Sequence, residues 1–155
     1  MKPHCGALLR FHDGLADSDV TWALTASLNL ALRGIDIEPG DIDVMTDASG
    51  ADAIESVFSD HVVRQVTRSR SHEKRIESHF GVLELDGIEI EIMGDVRHFV
   101  DGEWTEPVDV AVHREFIDIE GRAIPAMSLE HELAAYRDLG RGKRIEQIKT
   151  HLGIN

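Results

Sequence analysis

The stretch that most constrains this chain is residues 24–47, LTASLNLALRGIDIEPGDIDVMTD. An apolar run with helical spacing ends at Gly34, a turn with Pro39 and Gly40 follows, and Asp41 and Asp43 then enter an apolar segment. In a strand, residues two apart point to the same face, so the DID pattern sets Asp41 and Asp43 side by side, roughly 6.5 Å apart at the backbone. Ile42 and Val44 turn the other way, into a core. Thr25 and Ser27 stand where an N-cap belongs, and Gly34 supplies the helix end.

The flanking segments predict the rest of the sheet. Leu8, Leu9, His12 and Leu15 have helical spacing over residues 6–15, and VTWAL at 20–24 has strand composition. Ser49 opens a helix with Asp52 three residues on, in capping-box fashion, and with Ile54, Val57 and Phe58 as its buried stripe. A strand is expected at 62–67, followed by an exposed basic loop or strand extension at 68–79. The clearest hairpin joins 80–85 to 88–93 around Asp86-Gly87, with Gly94 as its end. Within it Ile88, Ile90 and Ile92 alternate with Glu89 and Glu91, which share one face. Residues 95–113 read as loop-rich, and 116–119 with 123–126 as a small hairpin around Glu120-Gly121. Ser128 caps a helix bearing Leu129, Leu133, Tyr136 and Leu139, which breaks at 140–142 before a last helix at 143–152. This order predicts an α/β (α+β) fold, a mixed sheet flanked by helices rather than a doubly wound one. One domain over 1–155 is expected, with a core at about 20–126 and C-terminal helices at about 128–152.

Charge narrows the partners. A formal net charge of −13 argues against a general nucleic-acid binder, because phosphate binding needs a basic surface. Lysine is confined to Lys2, Lys74, Lys143 and Lys149, and an acidic, lysine-poor surface suits concentrated salt, where repulsion is screened; an acidic mesophilic protein is the plain alternative. No run approaches the ~18 apolar residues of a membrane span, and the N-terminal residues lack a signal-peptide core. Cys5 is the single cysteine, so no internal disulfide forms. The expected setting is the cytoplasm.

The chemistry concentrates around the DID strand. A Ser-led helix precedes it and offers a hydroxyl and backbone N–H groups that suit phosphate. Glu89 or Glu91, on a later strand, supplies a third carboxylate. The runs LTAS-LNLALRG, DIDVMTD and GIEIEIMGD together resemble the nucleotidyltransferase (polymerase-β-like) superfamily. Within it the chain is similar to small bacterial and archaeal members related to aminoglycoside and lincosamide nucleotidyltransferases, over about residues 20–145. The resemblance implies Asp41, Asp43 and Glu91 as ligands of two Mg²⁺ ions and as catalytic residues, Ser27 as the motif serine, and an NTP as co-substrate. Glu91 is preferred to Glu89 because it directly precedes the Ile-Met-Gly that ends the related strand. The motif glycine is Ala26: a negative φ there leaves the loop intact, whereas a positive φ lowers nucleotide affinity.

The implied activity is Mg²⁺-dependent transfer of a nucleoside monophosphate, most simply from ATP, to a hydroxyl of a small-molecule acceptor, with pyrophosphate released. A non-catalytic binding or regulatory module, antitoxin-like, is the alternative, and transfer to a protein hydroxyl a third. Lys143 and Arg144, with Arg137 and Arg141, are candidate phosphate contacts from the C-terminal helices, while Arg68, Arg70, Lys74 and Arg75 fit an exposed loop better than a clamp. The nine histidines show no metal-ligand spacing, although His79 beside Phe80 merits attention. Trp22 and Tyr136 fit core positions better than base-stacking ones.

Overall fold

A computed structural model describes residues 1–155. In chain order it has α1 (Lys2–Gly14), β1 (Ala23–Thr25), α2 (Ala26–Leu32), β2 (Ile42–Thr46), α3 (Ala48–Val57), β3 (Val62–Ser71), β4 (Ile76–Leu85) and β5 (Ile88–Val100). Then follow β6 (Glu103–Trp104), α4 (Val110–His113), β7 (Arg114–Ile119), β8 (Arg122–Met127), α5 (Leu129–Leu139) and α6 (Gly142–Leu152). The strands form one open sheet ordered β3-β4-β5-β2-β1-β8-β7, with β6 added along β5. The β2–β5 and β1–β8 pairs are parallel and the others antiparallel, so the sheet is mixed as expected.

The alternation in DIDVMT and IEIEIM sorts the central strands into two faces. Ile42, Val44, Ile90 and Ile92 are fully buried in a core with Leu8 and Phe11 of α1 and Ala51 and Ile54 of α3. Each such aliphatic side chain contributes about 1.5–3 kcal/mol on burial, which pins the register of β2 against β5. Trp22 lies in the same core, edge-on to Phe11 at 4.9 Å between centroids, as its apolar surroundings in the sequence suggested. The opposite face carries Asp43, Met45, Glu91 and Met93, and α5 covers it.

Several boundaries differ from the sequence expectation, each for a local reason. Strand β1 occupies Ala23–Thr25 rather than 20–24, because pairing to β2 starts at Ala23. Helix α3 begins after Asp47, whose carboxylate accepts the Gly50 amide at 2.6 Å, so Asp47 rather than Ser49 is the cap, and Val57 is exposed. The basic segment is the tip of a long β3–β4 hairpin, and two of its cations are engaged: Arg68 and Arg70 both bind the buried Glu77. Gly94 does not end β5, which continues to Val100; the glycine instead permits close approach, since a Cβ there would lie 2.6 Å from the Asp47 carbonyl oxygen. The C-terminal part matches closely: Ser128 accepts the His131 amide at 3.1 Å, and Gly140 ends α5 with φ +71°.

Candidate active site

The register of the sheet builds the site. Thr25 lies opposite Asp43 across the β1–β2 pair, and Asp43 lies opposite Glu91 across β2–β5. Neighbouring strands are about 4.8 Å apart, so one hydroxyl and two carboxylates form a row across the sheet. Above this row is a cavity of about 280 Å³, walled on the far side by Ala135, Tyr136 and Leu139 of α5 and completed by Arg141. Ile76, Met93, Val96, His98 and His131 also line it, so it is apolar over much of its wall with acids at its floor.

Asp43 and Glu91 touch. Burial and the hydrogen-bonded, negatively charged Glu91 push the Asp43 carboxyl up to about 9, with smaller contributions from Asp41 and Glu132. Two carboxylates this close, with no cationic side chain paired to them, share a proton unless a bound cation lets both ionise. Asp41 falls just outside β2, because the strand begins at Ile42, and it is exposed at the rim. No three acid, histidine or cysteine side chains form a ready-made cage. The donor set nevertheless fits a hard divalent cation, since it consists of carboxylate oxygens in a part-buried setting that lacks a counter-charge.

The turn from β1 into α2 departs most from expectation. Thr25 occupies the N-cap position but makes no capping bond with its side chain. Its hydroxyl donates to Glu132 instead, and the Ala26 amide donates to the other Glu132 oxygen at 2.8 Å. Ala26 takes φ +61°, the left-handed value that glycine adopts freely, so the motif position does require positive φ. Ser27 does not line the cavity; its Oγ lies on the other side of the turn and accepts the Gly40 amide at 3.4 Å.

Other expected residues fall away from the cavity. Lys143 opens onto a separate polar hollow with Asp36, Glu146 and His151, and the cation lining the main cavity is Arg141. His79 lies on β4 outside it, whereas Tyr136 lines it while also packing against the core cluster around Leu30, Leu129 and Leu133. His98 and His131 were not anticipated. His98 Nδ1 is 3.0 Å from Asp138, and His131, tilted against His113 with ring centroids 5.0 Å apart, is lowered to about 4 by burial and the neighbouring histidines. Glu132 was also missed. It is 2 % exposed, and burial pushes it up to about 7 against the downward pull of its Thr25 and Ala26 hydrogen bonds. A signal for it existed: an acid beside Leu129 and Leu133 on the buried stripe of an amphipathic helix needs a partner.

Comparison with known proteins gives this architecture a class. The fold is the nucleotidyltransferase fold. A provisionally named nucleotidyltransferase of Thermotoga maritima is 41 % identical, with a TM-score of 0.80, and the match covers 94 % of this chain and 90 % of that one. The chain belongs to the aminoglycoside-2''-adenylyltransferase family, whose model matches residues 7–151. Two further structures share the fold at low identity. The antibiotic-resistance factor ANT(2'')-Ia is 10 % identical with a TM-score of 0.63, covering 97 % of this chain and 85 % of that one. The lincosamide antibiotic adenylyltransferase LnuA, solved with lincomycin bound, is 15 % identical with a TM-score of 0.56, covering 93 % and 95 %. No curated protein matches the chain.

Proposed function

We propose that this chain is a Mg²⁺-dependent nucleotidyltransferase that moves a nucleoside monophosphate from an NTP, most simply ATP, to a hydroxyl of a small-molecule acceptor. The observation that carries the reading is the unpaired Asp43–Glu91 carboxylate pair, set in register on the cavity floor. The family and the antibiotic-modifying fold relatives support a small hydroxylated acceptor rather than a macromolecule. The acidic surface, at a net charge of −13, argues in the same direction.

Asp43 and Glu91 would hold the cations, with Asp41 joining from the rim. Bound Mg²⁺ would supply the positive charge that offsets the triphosphate and the charge developing at phosphorus. Arg141 takes the phosphate-pairing role expected of Lys143, because it faces the cavity. Ser27 is the hydroxyl available to the phosphate tail from the other side of the turn. Glu91 receives the proton of the attacking hydroxyl as its oxygen bonds to the α-phosphorus. The bond from that phosphorus to the bridging oxygen breaks, and pyrophosphate leaves with the electron pair. Tyr136, with its hydroxyl pKa raised by burial, stays neutral and offers a flat apolar wall to a base or an acceptor ring.

Soaking crystals with a non-hydrolysable ATP analogue and Mn²⁺ tests the assignment. Metal peaks bounded by Asp41, Asp43 and Glu91 are expected; an empty cavity at saturating ligand rejects catalysis. One observation favours a second reading, a binding or regulatory module of the same fold. Ala26 puts a methyl group at φ +61° where glycine lets the backbone approach phosphate closely. Nucleotide binding without pyrophosphate release, across a panel of acceptors, selects that reading.

A further inference from the structure

Glu132 lines the cavity yet has no part in the chemistry proposed above. Its carboxylate accepts the Thr25 hydroxyl and the Ala26 amide, both from the turn between β1 and α2. It reaches them from α5, more than a hundred residues later, at 2 % exposure. The two helices are tied at a second point. Asn29 of α2 and Arg33, its C-cap, both donate to the Met127 carbonyl at 2.9 Å, one residue before the cap of α5. Glu132 therefore acts from a fixed base.

Ala26 explains why a fixed base matters. A left-handed conformation is disfavoured about tenfold for a residue with a Cβ, and such a residue keeps it only where its surroundings over-determine it. Glu132 provides that constraint at Ala26 itself, by holding the amide whose direction φ sets. Two donors on one carboxylate fix the peptide plane as well as its position. We propose that Glu132 is a positioning residue: it locks Ala26 in the left-handed conformation that glycine would adopt unaided, and so orients the turn that presents Ser27. In its consequence for nucleotide this rests on the functional reading above; in its claim about the turn it does not.

A cycle of Glu132→Ala, Ala26→Gly and the double variant tests it, with Glu132→Gln as the conservative change, since its amide oxygen still accepts the Ala26 N–H. Hydrogen exchange at the residue-26 amide reads the brace without nucleotide. Exchange should quicken at least about tenfold in Glu132→Ala and stay slow in Glu132→Gln. Calorimetry with a non-hydrolysable ATP analogue and Mn²⁺ reads the consequence. Glu132→Ala should lose about tenfold in affinity, and Ala26→Gly in that background should recover most of it while changing the parent protein less. Unchanged exchange in Glu132→Ala, or additive effects of the two substitutions on affinity, would overturn the proposal. If Glu132→Ala does not fold, folding of the double variant supports the brace, and failure of both marks Glu132 as a general core residue and overturns it. If the parent protein binds no nucleotide the functional reading fails, and the exchange comparison still decides the brace.

Discussion

Two groups of acids share one cavity and solve the problem of burial differently. Asp43 and Glu91 face each other across β2 and β5 with no N–H or O–H donor from the rest of the chain directed at them. Glu132 is more deeply buried, yet it has two donors, from Thr25 and Ala26. A buried carboxylate with donors is complete in itself and braces the structure around it. A carboxylate pair without them is incomplete, and binding a cation would complete it.

The largest expected effect breaks the incomplete pair. Asp41→Asn/Asp43→Asn should abolish cation-dependent nucleotide binding and lower any transferase rate by roughly 10²-fold or more, read by calorimetry and pyrophosphate release. Unchanged binding removes the pair from the site. Next is the pH dependence of stability without divalent cations. Asp43 is raised from 3.8 to about 9, so between those values the folded protein holds a proton that the unfolded chain has released, and stability falls as pH rises. Glu132, raised from 4.5 to about 7, has the same sign, while His131, lowered from 6.5 to about 4, has the opposite sign below neutrality. The clean window is therefore pH 7–9, where the Asp43 contribution alone has a slope of up to about 1.4 kcal/mol per pH unit. Denaturant melts should show that decline in EDTA, a flatter profile in Asp43→Asn, and a reversed trend in Mg²⁺, because cation binding strengthens as the pair deprotonates.

A smaller effect sharpens the other side of the comparison. Ala26→Gly should stabilise the protein by about 1 kcal/mol, or a few degrees in Tm, since glycine adopts φ +61° without the Cβ penalty. A loss of stability would mean that the methyl group packs favourably there. The smallest effect concerns the whole surface: at a net charge of −13, Tm should rise modestly with KCl as repulsion is screened. A flat response would mean that the acidic surface is not an adaptation to salt.

The carboxylates of the incomplete pair were named from the sequence, whereas the complete acid, although its place on the buried stripe was visible there, was not. DIDVMT and IEIEIM carry strict period-2 alternation, which fixes which side chains share a face but leaves Glu89 and Glu91 equivalent; the family resemblance favoured Glu91, and the sheet register sets it opposite Asp43. Asp41 was misjudged by one position, because a strand boundary depends on the hydrogen-bonding partner and not on the pattern alone. Glu132 sits in a helix whose stripe reads as ordinary core, and only the tertiary docking of α5 reveals what its carboxylate meets. The same limit left Arg141 as one candidate among several beside Lys143: Arg141 is the N-cap of α6 and Lys143 lies in its first turn, and the direction of that turn decides which one faces inward. Gly94 was read as a strand end because glycine often stops strands. Its actual role, letting the Asp47 carbonyl approach, is a contact between elements that no local pattern encodes.

The wall contributed by α5 also sets when the site can exist. The row on the sheet is built from residues 25–91, but the covering wall and the brace on Ala26 come from residues 131–141. Synthesis runs from the N-terminus, so residues 131–141 must leave the ribosome before the cavity closes. A nascent chain stalled before α5 carries its carboxylate pair uncovered and its turn unbraced.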